Sequence, residues 1–165
     1  MTQREYYAKH WRARMAKLGR DYGVPGETNR TRKLSLESLK ALVARDLQMA
    51  IRMEAADDNG ICCCVSCGTL GHYKVMQGGH FVSRKFNATK FNEQNIHVQC
   101  ENCNGHLKGN EWKHAEHIDK TYGAGTAQAL RDLADAGRRY YRYEILNMRD
   151  GYRARIKVQK QRLGH

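Results

Sequence analysis

Two short cysteine turns constrain this chain more than any other feature. Cys64-Val65-Ser66-Cys67-Gly68 and Cys100-Glu101-Asn102-Cys103-Asn104 are C-x-x-C knuckles, with 32 residues between Cys67 and Cys100. A two-residue spacer lets two sulfurs reach one ion from a tight turn, and two such turns complete a tetrahedral site. All-thiolate ligation suits Zn²⁺ in a reducing compartment. The spacing therefore predicts one structural Zn²⁺ held by Cys64, Cys67, Cys100 and Cys103. All six cysteines lie between Cys62 and Cys103, which is unlike the spread disulfide framework of a small secreted chain. Cys62 and Cys63 are then surplus. Cys63 could replace Cys64 only at a longer, looser spacing.

A chain of 165 residues makes one domain with a single core. Its 29 Lys and Arg against 17 Asp and Glu give a formal charge of +12. Four thiolates around Zn²⁺ would leave about +10. The excess is uneven: +6 over residues 1–33, −2 over 34–60, +3 over 61–110 and +5 over 111–165. Such a field favours a polyanion, nucleic acid being the commonest; a merely soluble basic surface is the alternative. No apolar run approaches the roughly 18 residues of a membrane helix. Met1-Thr2-Gln3-Arg4-Glu5 does not open like a signal peptide. The expectation is a cytoplasmic protein with no membrane partner.

Residues 1–33 read as a basic N-terminal arm, with a short helix near 3–18 and Tyr6, Tyr7 and Trp11 among Arg and Lys. Those aromatics can stack on bases or dock the arm on the domain. Residues 34–60 form a packing helix. Ser35 is its N-cap, with Thr31 and Ser38 as rivals, and Leu36, Leu39, Val43, Leu47 and Ala50 step by threes and fours. Asp57 to Gly60 stop it. Residues 111–165 are helical and basic: Glu111 to Thr121, a second helix after Gly125, and a third marked by Ile145, Met148, Tyr152, Ile156 and Leu163. Arg149, Arg153, Lys157 and Lys160 lie opposite that last stripe, where they can track phosphates or simply meet solvent.

The segment 61–110 carries the chemistry. Tyr73 to Met76 and His80 to Val82 can pair as a hairpin across Gly78-Gly79, with a further strand at Ile96 to Val98. Alternation with Ile96 and Val98 turns His97 to solvent. After Cys103 the chain can start a helix that puts Asn104 and Lys108 on one face. His72, His114 and His117 have no evident partner; His114 and His117 could chelate a metal but lack a third ligand.

Cys64-Val65-Ser66-Cys67-Gly68-Thr69-Leu70, Gly79-His80-Phe81, the run from Phe91 to Cys100, and Cys103 to Asn110 together resemble the phage NinG (Rap) recombination family. The arrangement of a hairpin and a helix pinned by zinc, with His, Asn and then Asn or His, resembles HNH (ββα-metal) nucleases and endonuclease VII-type junction resolvases. The resemblance implies an α+β fold: a small zinc-stabilised HNH core flanked by N- and C-terminal helices. It implies an endonuclease that uses Mg²⁺ or Mn²⁺ on branched DNA such as Holliday junctions and forks during phage recombination.

Roles follow from phosphodiester chemistry. Hydrolysis needs an activated water and stabilisation of the phosphate and of the leaving oxygen. His80 is the expected general base. Asn95 would tie the loop that orients it. Asn104 would offer Mg²⁺ an oxygen, with His106 as a second candidate in the third motif position. Arg84, Lys85 and Lys108 would hold DNA phosphate. The family pattern has an acidic residue three before the His and HNH enzymes often one immediately before; here Gln77 and Gly79 stand there. Either a carboxylate such as Glu93 or Glu101 reaches the metal, or affinity for it is low, or the protein binds without cutting. The second function class is accordingly a non-catalytic zinc-finger protein that recognises junctions or recruits partners. Paired junction arms would suit a homodimer with two symmetric sites.

Overall fold

In the computed structural model, which describes residues 28–164, a single turn α1 (Asn29–Arg32) leads into α2 (Leu36–Glu54). The expected arm helix near 3–18 lies outside the described residues. Ser35 caps α2: its backbone is extended and its Oγ accepts the Ser38 N–H at 3.1 Å. Leu39, Val43, Leu47 and Ala50 are fully buried. They form one stripe of the helix and face α5 (Arg142–Arg162), which contributes Ile145, Leu146 and Tyr152. Phe91, Ile96 and Tyr140 complete this core. The helices that flank the cysteine segment in sequence thus share one hydrophobic core.

Ion pairs sew α5 to its neighbours. Arg155 donates to Glu54 at 2.6 and 2.7 Å and to Glu93 at 2.6 and 3.0 Å. Arg162 reaches Asp58 at 3.0 Å. Arg149, read from the sequence as part of an outward basic face, turns instead to Asp46 at 3.3 Å, its side chain only 14% exposed. Arg153, Lys157 and Lys160 remain along a shallow surface depression beside it.

The strands form two antiparallel pairs. β1 (Ile61–Cys63) and β2 (Leu70–His72) make a hairpin around the first knuckle. β3 (Gln77–His80) pairs with β4 (Ile96–Gln99), Gln77 opposite Gln99 and His80 opposite Ile96. This corrects the expected hairpin across the glycine pair. Tyr73 to Met76 is a turn, fixed by the Arg52 guanidinium, which donates to the carbonyls of Tyr73 at 3.0 Å and Met76 at 2.8 Å. Gly78 and Gly79 lie inside β3 because neighbours come too close for a side chain. A Cβ on Gly78 would sit 2.8 Å from Gln48 Cγ of α2, and one on Gly79 would collide with Gln99 Oε1. These glycines serve close approach rather than a turn.

Beyond Cys103 the expected helix is a single π-helical turn, Asn102–His106. α3 (Glu111–Tyr122) and α4 (Thr126–Ala134) follow. Ile118, Ala127, Leu130 and Ala134 pack with Val82 in a smaller cluster. No helix among the described residues is long and apolar enough to cross a membrane.

His97 does not face solvent. All four residues of β4 are buried, because α2 covers the Ile96 and Val98 side and the opposite side meets α3. There His97 Nδ1 lies 3.0 Å from Nε2 of His114, which is fully buried, and His97 Nε2 lies 3.1 Å from the Tyr122 hydroxyl. His117 stacks edge-on against His97, ring centres 4.9 Å apart. Of the histidines that looked unpartnered, His114 and His117 join His97 in one cluster, while His72 lies apart, its ring 4.6 Å from that of Tyr73.

Burial pushes the imidazolium pKa of His97 down to about 4 and that of His114 to about 3. The unfolded chain titrates these groups near 6.5 and so binds more protons below that pH. Stability is therefore complete above about pH 6.5 and falls as the pH drops towards 4, by up to about 1.4 kcal/mol per pH unit for each proton taken up. Urea unfolding of the metal-loaded protein between pH 7 and pH 5 is expected to show a falling midpoint. A His97→Asn/His114→Gln variant should flatten that slope. A midpoint that stays constant would mean these histidines are charged and solvated.

Candidate functional site

The knuckles meet. Sγ atoms of Cys64, Cys67, Cys100 and Cys103 all lie within 4.8 Å of one another, and Cys67 is 3.6 Å from Cys100. Zn–S bonds of about 2.3 Å set tetrahedral S···S edges of about 3.8 Å. The donor set and its geometry fit a structural metal such as zinc. Cys67 Sγ lies 3.2 Å from the Thr69 hydroxyl, and hydrogen bonds from Thr69 hold its thiol down at about 6. Burial and the neighbouring sulfurs push Cys103 up to about 12, and burial raises Cys100. Four thiolates at this spacing call for a cation. The surplus cysteines stay out: Cys62 is buried with its Sγ toward the Gly71 carbonyl, and Cys63 is exposed.

The end of β3, the π-turn and α2 enclose a cleft of about 630 Å³. His80, Arg84, Asn104 and Lys108, all read from the sequence as site residues, line it together with Gln77. Gln48 and Arg52 of α2 also line it, and the sequence reading of α2 as a packing helix missed both. Three others do not line it: Lys85 and His106 are exposed, and Asn95 is fully buried beneath the 81–95 loop.

Asn95 spans that loop. Its amide donates to the carbonyls of Val82 at 2.9 Å and Thr89 at 3.1 Å and accepts the Val82 N–H at 2.7 Å. The loop so held presents the Lys90 carbonyl 3.2 Å from His80 Nε2. A carbonyl only accepts, so Nε2 carries the hydrogen and Nδ1 of the neutral ring keeps its lone pair. Burial, helped by the charges of Arg84 and Lys90, lowers the His80 pKa below its usual value. The imidazole is neutral at pH 7.

On the facing turn, Asn104 Nδ2 donates to Gln77 Oε1 at 2.5 Å. No Asp or Glu is among the described residues that line the cleft. Glu93 is engaged by Arg155 and Glu101 is exposed outside it. A hard divalent ion therefore finds amide oxygens but no carboxylate, and these residues alone do not make a site for Mg²⁺ or Mn²⁺.

The segment after the second knuckle is strained and pinned. Lys108, Gly109 and Asn110 take φ of 50°, 96° and 44° in succession. For side chains other than glycine this region costs of order 1–3 kcal/mol each. Gly109 N–H donates to the Cys103 carbonyl at 2.8 Å, Gln99 Nε2 to the Gly109 carbonyl at 2.7 Å, and Asn110 Nδ2 lies 3.5 Å from Cys103 Sγ. The four-cysteine cluster thereby places Lys108 at the cleft.

One zinc per folded chain is the expected result of elemental analysis. Cys100→Ser should lose the metal and the cooperative unfolding transition together. Zinc-free protein that unfolds with the same midpoint would contradict the assignment.

The family described as Bacteriophage Lambda NinG protein matches residues 3–162. Protein ninG of Escherichia phage lambda is 33% identical over 79 residues, covering 48% of this chain and 38% of that protein. The aligned region thus spans well under half of that relative. No solved structure matches the chain. A match from residue 3 to residue 162 takes in both flanks, the four cysteines and the whole cleft, and on that extent the chain belongs to the phage NinG family.

Proposed function

We propose that this NinG-family protein is a structure-specific endonuclease that cuts branched DNA recombination intermediates, with His80 as its general base. The observation that carries the reading is His80 itself. It is a neutral imidazole, fixed at Nε2 by the Lys90 carbonyl, in a cleft whose charged lining side chains are all basic. Arg84 and Lys108 would hold the scissile phosphate. His80 Nδ1 takes a proton from water, the oxygen of that water bonds to phosphorus, and the bond from phosphorus to the departing sugar oxygen breaks. That oxygen takes a proton from solvent. Asn95 positions the base through the loop. The divalent ion expected for such hydrolysis would draw most of its oxygens from phosphate and water, with Asn104 and Gln77 as the nearest protein donors.

A second reading has its own support. Because no carboxylate lines the cleft, the protein can bind branched DNA and recruit partners without cutting. The two readings separate on a four-way junction, a Y-fork, linear duplex and single-stranded RNA, each with and without Mg²⁺ or Mn²⁺. The nuclease reading expects cleavage of the branched substrates that EDTA stops. His80→Ala should lower it about 10²–10⁴-fold with zinc content and junction binding kept. Gln77→Asp should lower the metal concentration required. Cutting by His80→Ala within a few-fold of wild type would remove His80 from the mechanism. Binding without cutting under any divalent ion would establish the second reading.

Affinity for DNA should fall steeply with salt, since each phosphate contact releases counterions. Lys108→Ala should reduce the slope of log K against log salt by about one. It should weaken all DNA sequences alike, because a contact to phosphate carries no sequence information. Tight binding of one short duplex sequence that survives high salt would contradict this.

A further inference from the structure

Trp112 stands out from the fold. Tryptophan usually buries most of its surface, yet Trp112 is 80% exposed in the first turn of α3. Among the described residues no hydrogen bond or ring contact engages it. Leu107, 52% exposed, lies on the other side of the Lys108-Gly109-Asn110 turn. Two large apolar side chains thus bracket a turn that the second knuckle and Gln99 hold rigid. Lys108 and Gly109 line the cleft. Trp112 follows Gly109 by three residues, which keeps its backbone within about 11 Å of the cleft wall.

Charge identifies what covers this apolar edge. The cleft beside it has Arg84 and Lys108 and no acidic lining residue. The acidic side chains that flank Trp112 on α3 are each neutralised: Glu111 by Arg131 at 3.0 Å and Glu116 by Lys113 at 2.9 Å. Trp112 does not itself line the cleft; Phe81 does, and its ring is already occupied, with Arg131 4.7 Å over its face and His114 against its edge. A free aromatic face whose backbone lies within about 11 Å of a cationic cleft matches an unstacked nucleobase attached to phosphates. An intact duplex offers no free base face there; a branch point does.

We propose that Trp112, with Leu107 across the same turn, is a stacking wedge that receives an unpaired or unstacked base at a branch of DNA whose phosphate occupies the His80 cleft. This rests on the DNA-binding reading above and adds the feature that selects branched over linear DNA. The wedge makes no covalent change; it lowers the cost of an open base and so favours DNA already open.

The test uses the full chain in its zinc-bound form. Wild type, Trp112→Ala, Trp112→Phe and Leu107→Ala are titrated with a four-way junction, a Y-fork and linear duplex. A 2-aminopurine at the branch reports stacking by loss of its fluorescence. Trp112→Ala should weaken binding of branched DNA about tenfold, leave duplex affinity within about twofold, and abolish the quenching. Trp112→Phe should keep most of both. Because the side chain is exposed, the variants should fold, and unchanged zinc content checks this. Equal loss on duplex and branched DNA, or quenching that persists in Trp112→Ala, would overturn the wedge while the DNA-binding reading stands. A variant that binds DNA normally but loses self-association in sedimentation would assign the edge to a second copy and overturn it too. Failure of wild type to bind any DNA would overturn the reading beneath it as well.

Discussion

Four sulfur atoms hold together elements that could not stand by themselves. An isolated two-stranded β-unit is marginal in water, and the described residues form two, β1–β2 and β3–β4, with no strand in common. A backbone hydrogen bond from Val65 to Val98 at 2.9 Å joins them beside the point where Cys64 and Cys67 meet Cys100 and Cys103. The same centre reaches further along the chain. The Cys103 carbonyl and sulfur hold Gly109 and Asn110, and through them Lys108 is brought opposite His80. Burial raises the thiols of Cys100 and Cys103, and a bound cation would offset that penalty, which couples metal binding to the assembly of the cleft.

The cleft combines neutral and cationic groups in an unusual balance. Gln77 and Asn104 satisfy each other across it where a carboxylate would carry charge. His80 is uncharged because burial outweighs its hydrogen bond to Lys90. What remains is the positive charge of Arg84 and Lys108, with Arg52 committed to the carbonyls of the Tyr73–Met76 turn. The cleft is thus positively charged and has no carboxylate among its described lining residues.

Much of this was legible in the sequence because local chemistry determines it. The C-x-x-C spacing led to the four-cysteine centre, and the apolar stripe with its Ser35 cap led to α2 to within a residue at its start. His80, Arg84, Asn104 and Lys108, read from the motifs between and just after the knuckles, line one cleft. Failures came where a long-range neighbour decides. Gly78-Gly79 reads as a turn, but its glycines are required by Gln48 and Gln99 packed against a strand. Period-two alternation turned His97 outward, yet β4 is covered on both faces and alternation then carries no information about burial. Arg149 looked like a solvated cation until Asp46, far away in the chain, received it. Gln48 and Arg52 join the cleft from the edge of a helix whose pattern reports only its buried stripe.

The clamp made by Arg155 has a consequence for how the chain assembles. It ties Glu54 at the end of α2 to a residue 101 positions later, and Glu93 of the short turn before Asn95 to the same guanidinium. Both strand pairs, the four clustered cysteines and the 81–95 loop lie within the chain segment that this contact closes. Their ends are zipped by the apolar seam of α2 and α5, which are distant in sequence and adjacent in space. Bringing such ends together costs entropy that local structure cannot repay, and long-range topologies of this kind nucleate slowly. A nascent chain with its C-terminal helix still inside the ribosome has the residues of the cleft but not the seam that secures them. It reaches its organised form only after the later helix has emerged.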